Sequence, residues 1–291
     1  MPADETRGAI RVANAPVSFG AFELTVGVLP NVPSAERILT AIADAGYEGT
    51  ELGAPGYLGD LETLGANLER HGLALAGGYI PLRFGAPDED LAVLDETLDL
   101  FDAAGGLRDN LSRGRPRPVL ADDGTRGGDV DWQRLVDGVA RAATRARERG
   151  YEPTFHPHMG TRIQTPDEIE WLLEATDVPL LLDSGHLLAG GGDPIRGLRD
   201  WRSRIDHVHI KDTRLDLIRD SESWDVAWRA GAFCELGTGD VDLDAFVREL
   251  EDYSGWLVVE QDWVPGPDDD PTPQIEAQAR NRAWLREHAG I

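Results

Sequence analysis

The chain has 291 residues, 41% of them apolar, which is enough for one large α/β barrel or two ordinary domains with a full core. Its formal net charge of −25 opposes phosphate backbones, making nucleic acid a poor partner while suiting solubility. No run of about 18 apolar residues marks a membrane span, and the single cysteine, Cys234, excludes an intrachain disulfide.

The opening Met1-Pro2-Ala3-Asp4-Glu5 is polar and lacks the apolar core of an export signal, so the chain is read as cytoplasmic. Arg11 to Val17 reads as the first strand, and a loop follows to Pro33. Ser34 is placed as the cap of a helix running to about Ala45, with Ile38, Leu39 and Ile42 on one face and Gly46 ending it. Tyr47 to Leu52 is the second strand. A second helix starts at Asp60 and reaches about His71, and Leu73 to Tyr79 is the third strand. Asp88 begins a third helix, Leu91 to Phe101. Arg113 to Arg117, rich in Arg, Pro and Gly, is left without structure ahead of a weak fourth strand, Pro118 to Ala121.

Asp131 caps a fourth helix, Trp132 to Arg149. Glu152 to His158 is the fifth strand, and Thr165-Pro166-Asp167 starts a helix to Glu174. Val178 to Asp183 is the sixth strand, a short helix lies near Pro194–Trp201, and Ile205 to Lys211 is the seventh strand. Residues 213–232, with Trp224 and Trp228, are too long for an ordinary strand-to-helix loop and read as a lid or a subunit contact. Leu243 to Leu250 is a helix, Trp256 to Gln261 the eighth strand, and Gln274 to His288 a closing helix within 273–291. Eight such alternations in one chain of this size predict an α/β fold, a single-domain (β/α)8 TIM barrel over 1–291. A doubly wound open sheet is the alternative, weakened by the lack of a Gly-x-Gly-x-x-Gly after the first strand.

In such a barrel the C-terminal strand ends build the active site. Five of the seven histidines fall between His156 and His209, and each apolar run there ends in metal-type ligands. His156 and His158 share one side of their strand; His207, His209 and Lys211 share one side of theirs. Asp183 and Glu260 each end an apolar run. Imidazoles with carboxylates suit a borderline divalent ion, Mn²⁺, Co²⁺, Fe²⁺ or Zn²⁺. Lys211 is the only lysine in the chain, which points to a need for a compact ammonium that arginine does not meet. Glu51 and Glu235 read equally as substrate contacts or solvated acids. Trp224, Trp228 and Trp263 read as a roof over the pocket or as packing within the lid.

Asp183-Ser184-Gly185-His186, His207-Val208-His209-Ile210-Lys211-Asp212 and Val258-Val259-Glu260 resemble the xylose isomerase-like barrel superfamily of sugar-phosphate isomerases and epimerases. Within it, Phe155-His156-Pro157-His158-Met159-Gly160-Thr161 and Val259-Glu260-Gln261-Asp262 are most similar to the inosose dehydratases. The resemblance implies a metal held by Asp183, His209 and Glu260, with His156 standing where epimerases carry a glutamate. It leaves Lys211, His158 and His186 as acid/base groups or substrate contacts, and His207 beside Glu51 and Glu235 as substrate-binding candidates. The implied activity is a metal-dependent lyase of inositol catabolism dehydrating a cyclic keto-polyol, with Mn²⁺ or Co²⁺ ahead of Zn²⁺ or Fe²⁺. A sugar isomerase or epimerase is the alternative. The implied partners are a small polyol or sugar and a second copy of the chain in a homo-oligomer.

Overall fold

The computed structural model describes residues 10–86, 90–105, 115–124, 126–127 and 130–291; the expected helix start at Asp88 and the segment 113–114 lie outside them. In chain order the elements are β1 (Ile10–Asn14), α1 (Ala35–Ala45), β2 (Gly49–Glu51), α2 (Leu64–Arg70), β3 (Ala74–Leu82), α3 (Ala92–Ala103), β4 (Arg117–Asp122) and α4 (Trp132–Glu148). Then come β5 (Thr154–Phe155), α5 (Pro166–Ala175), β6 (Leu180–Asp183), α6 (Ser184–Ala189), α7 (Pro194–Asp200), β7 (Ile205–Ile210) and β8 (Asp212–Thr213). The last are α8 (Leu215–Asp220), α9 (Trp224–Arg229), β9 (Phe233–Cys234), α10 (Leu243–Glu249), β10 (Gly255–Val259) and α11 (Thr272–His288). Strands β1 to β7 and β10 form a closed parallel barrel in the order β1-β10-β7-β6-β5-β4-β3-β2, the expected (β/α)8 architecture rather than an open sheet. Among the described residues no helix is long and apolar enough to cross a membrane.

Local chemistry sets the boundaries. Ser34 accepts a hydrogen bond from the Arg37 N–H, and Gly46 closes α1 at φ 82°, a left-handed conformation that a side chain disfavours. Asp131 caps α4, and Thr165 with Glu168 forms a full capping box on α5. Four differences from the sequence reading have physical causes. Pro16 turns the chain into a short 3-10 turn, so β1 stops at Asn14. Asp60 caps a turn through the Glu62 and Thr63 N–H groups, and α2 starts only at Leu64. Strand β5 is two residues long because Pro153 and Pro157 remove ladder donors on either side. Helix α6, not foreseen, begins directly after β6 because Asp183 Oδ1 accepts from the His186 N–H at 2.8 Å.

At the N-terminal end of the barrel Asp206 pairs with Arg117 at 3.2 Å. Burial pushes its carboxyl up to about 6, and the guanidinium offsets only part of that. A carboxyl whose folded pKa is raised adds stability below its unfolded value, near pH 4, and loses it as pH rises through about 6. Asp206→Asn is therefore expected to raise the unfolding free energy by about 2 kcal/mol at pH 8 and by nearly nothing at pH 4. Urea denaturation at both pH values checks this; an equal gain at the two would refute the titration argument.

Candidate active site and metal centre

The C-terminal strand ends bring the expected residues to one place. His156, Asp183, His209 and Glu260 are all buried, and each offers a ligand atom within 4.8 Å of the others. His209 sits at their centre. Its Nδ1 donates to Glu260 Oε2 at 3.0 Å and lies 3.7 Å from Asp183 Oδ2, while its Nε2 donates to Glu51 Oε1 at 3.1 Å. Burial pulls the imidazole pKa down, but Glu260 and Glu51 outweigh it and hold His209 well above the ordinary histidine value. Asp183 is divided between two tasks. Its Oδ1 caps α6, which leaves Oδ2 buried without a hydrogen-bond donor and aimed at His209 and Lys211.

Lys211 stands beside this group, fully buried. Its Nζ lies 2.7 Å from Glu260 Oε2, 2.9 Å from both Asp262 oxygens, 3.2 Å from Asp183 Oδ2 and 3.1 Å from His186 Nε2. Burial disfavours the ammonium, yet Asp183, Asp262 and Glu260 together raise its pKa above the usual lysine value. Lys211 is thus held as a cation and hydrogen-bond donor by these acids. The lysine stem passes directly over Gly185, where a Cβ would meet Lys211 Cγ at 2.7 Å; only glycine permits that approach.

His158 and His186 form a second imidazole pair, ring centroids 4.0 Å apart. Burial keeps both below the ordinary histidine value, and Lys211 adds to the effect, so both are neutral at pH 7. His158 lines the cavity at the barrel mouth, whose volume is about 510 Å³; His186 lies behind it, against both Lys211 and the ring of Phe233. The insertion after β7 covers this mouth. Strands β8 and β9 pair as an antiparallel hairpin stem that carries α8 and α9. Trp224 packs 6.1 Å from His186, and Trp228 packs 5.5 Å from Phe22 and donates to the Asp262 carbonyl at 3.1 Å. Trp224 and Trp228 therefore form the roof, whereas Trp263 lies against Gly20.

The structure places two of the substrate-contact candidates away from the mouth. Glu235 follows β9 rather than a barrel strand, and it points outward to an ion pair with Arg280 at 2.8 Å. His207 is fully enclosed in the barrel, below the mouth, where its Nε2 donates to Glu51 Oε1 at 3.0 Å; it holds Glu51 rather than a ligand in the mouth. Glu51 does line the cavity. The sequence reading missed Asp262, Tyr79 and Asp122. Asp262 lies two residues after Glu260, and period-two alternation was a usable signal for it. Asp122 ends β4 one residue beyond the expected strand, where Arg162 clamps both of its oxygens at 2.5 and 3.0 Å.

The donor set fits a divalent cation. Asp183 Oδ2 and His156 Nδ1 are buried polar atoms without a hydrogen-bond partner. Four buried carboxylates, from Glu51, Asp183, Glu260 and Asp262, surround the one ammonium and the imidazole of His209. A buried excess of negative charge of this kind calls for a further cation. Two imidazoles and two carboxylates are the ligand types that borderline divalent metals take.

The family described as xylose isomerase-like TIM barrel matches residues 39–288. Among curated proteins, the chain is 32% identical over 289 residues to inosose dehydratase of Geobacillus kaustophilus (strain HTA426), covering 90% of each chain. It is 31% identical over 273 residues to inosose dehydratase of Clostridium perfringens (strain 13 / Type A), covering 88% of this chain and 90% of the relative. Among solved structures, D-allulose 3-epimerase from Methylomonas sp. superposes with a TM-score of 0.64 at 15% identity, over 97% of this chain and 98% of that one. A probable 3-DHS dehydratase of petrobactin synthesis from Bacillus anthracis superposes with a TM-score of 0.64 at 14% identity, over 93% and 97%. At such identities these two show the shared barrel alone.

Proposed function

Because the chain belongs to the xylose isomerase-like TIM barrel family, we propose that it is a divalent-metal-dependent hydro-lyase that dehydrates a cyclic keto-polyol of the inosose kind. The activity named for its sequence relatives supports this reading. The observation that carries it is the convergence of His156, Asp183, His209 and Glu260 beside two neutral imidazoles at the floor of a closed-over cavity.

His156, Asp183, His209 and Glu260 would hold the ion, which when bound supplies Lewis-acid polarisation of a substrate carbonyl and its neighbouring hydroxyl. The chain's own groups handle the protons. His158, neutral and facing the cavity, accepts the proton next to the carbonyl, and the imidazolium so formed gives that proton to the β-hydroxyl as its C–O bond breaks and water leaves. The Met159 carbonyl, 2.9 Å from His158 Nδ1, fixes the orientation of that imidazole, and the Lys211 ammonium favours the negative charge that develops on the substrate. Burial keeps the Tyr79 phenol protonated, so it remains a donor for a substrate hydroxyl at the cavity wall. Trp224, Trp228 and Phe22 supply ring faces for the C–H faces of the polyol and exclude water from the reacting carbons.

A sugar epimerase is the second reading. Epimerisation through two opposed carboxylate bases needs an acid where this chain has His156. Inosose turnover in the purified protein, with and without chelator, separates the two. The expected result is loss of water to give an absorbing enolised dione, abolished by chelation and restored by Mn²⁺ or Co²⁺. An isomeric polyol with no absorbing product would transfer the assignment to the epimerase, and turnover indifferent to chelation would remove the metal.

A further inference from the structure

His209 has two ring nitrogens, and its surroundings treat them differently. Nδ1 faces two carboxylates, Glu260 Oε2 at 3.0 Å and Asp183 Oδ2 at 3.7 Å, with His156 in the same group. Nε2 faces Glu51 Oε1 at 3.1 Å. A divalent cation is drawn to the side with more negative charge, which is the Nδ1 side. Asp183 Oδ2, buried without a donor, opens onto that side as well. The Nε2–H and Glu51 are then left outside the coordination sphere.

Glu51 is itself held in place. It ends β2 at 3% exposure, and its Oε1 accepts a second hydrogen bond, from His207 Nε2 at 3.0 Å. His207 and His209 alternate on β7 with ring centroids 5.5 Å apart, so both rings reach the same oxygen. Two N–H donors engage both lone pairs of Oε1, leaving that oxygen none for a metal or a substrate hydroxyl. Gly77 on the neighbouring β3 makes room for this arrangement, since a Cβ there would meet Glu51 Oε1 at 3.2 Å.

We propose that Glu51 is a positioning residue: its Oε1 accepts the His209 Nε2–H, fixes the plane of that imidazole and presents Nδ1 to the metal, while His207 pins Glu51 from below. The proposal rests on the metal-dependent reading above and gives Glu51 a task other than substrate contact. A carboxylate behind a ligating histidine orients the ring, sets which nitrogen keeps its hydrogen and strengthens the other as a donor to the metal.

The test is the affinity for Mn²⁺, read from the electron paramagnetic resonance signal of the free ion, in the purified parent, Glu51→Ala and Glu51→Gln. The KM for inosose at saturating Mn²⁺ is measured beside it. Glu51→Ala should weaken Mn²⁺ binding about 10- to 100-fold, with KM nearly unchanged once the metal is saturating. Glu51→Gln should fall between Glu51→Ala and the parent, because its amide oxygen still accepts the Nε2–H. Should Glu51→Ala fail to fold, a crystal structure of the Mn²⁺-loaded parent decides the question. It should show His209 bound through Nδ1, with Glu51 bonded to Nε2 and off the metal; coordination through Nε2 or by Glu51 overturns the role. Equal Mn²⁺ affinity in parent and Glu51→Ala, or a raised KM with affinity intact, also overturns it and leaves the metal reading standing. A parent that binds no divalent cation overturns both.

Discussion

Turnover falls by about a thousandfold or more in Asp183→Asn, a loss of ~4 kcal/mol of transition-state stabilisation, while the fold survives. The two outcomes separate because the two carboxylate oxygens do different work. Oδ1 accepts the His186 N–H and starts α6, and an asparagine side-chain carbonyl accepts that bond equally well. Oδ2 has no hydrogen-bond donor and faces His209 Nδ1 at 3.7 Å and Lys211 Nζ at 3.2 Å. Placing an amide NH₂ there removes the negative charge and points a donor at two other donors. Bound metal, measured by elemental analysis, should fall together with turnover, while far-ultraviolet circular dichroism stays unchanged. A variant that keeps full metal content, or turns over within tenfold of the parent, would show that Asp183 is the helix cap alone.

Lys211→Met is expected to cost about 3–5 kcal/mol of stability, the usual penalty for removing one partner from a buried charge network. Methionine matches the stem in length and volume, so packing over Gly185 is kept and the effect reports on charge. The carboxylates of Asp183, Glu260 and Asp262 lose the one ammonium that lies within 3.2 Å of all three. Lys211→Arg should not rescue the loss, because a planar fork does not fit where contacts converge on a single nitrogen from several sides. Part of the lost stability should return on adding a divalent cation, which supplies positive charge to the same carboxylates. Chemical denaturation with and without metal checks both statements; a cost below about 1 kcal/mol would contradict the network argument.

The barrel and most of the His/Asp/Glu cluster at its mouth were legible because the signal is local. Leu180-Leu181-Leu182 followed by Asp183, and Val258-Val259 followed by Glu260, are buried runs that end in a charge, a pattern confined to strand ends facing a site. The insertion after β7 was legible from length alone, since no ordinary crossover uses so many residues. What escaped reading depended on partners distant in sequence. Glu235 resembles the end of a barrel strand, but the β8–β9 hairpin turns it outward to Arg280 on α11, 45 residues away. His207 shares its strand face with His209, yet one step of the pleat lower its ring bonds Glu51, 156 residues earlier in the chain. The ionisation of Lys211 is likewise set by three acids from two other strand ends, and no window of sequence contains them.

The burial of Lys211 has a practical consequence. The chain has one lysine, and none of its side chain reaches solvent. An amine-directed reagent such as acetic anhydride therefore has a single side-chain target, and it reaches that target only when the barrel centre opens. The rate at which Lys211 becomes acylated follows how often the centre opens and frees the amine from its acids, and ligands that seal the mouth should slow it.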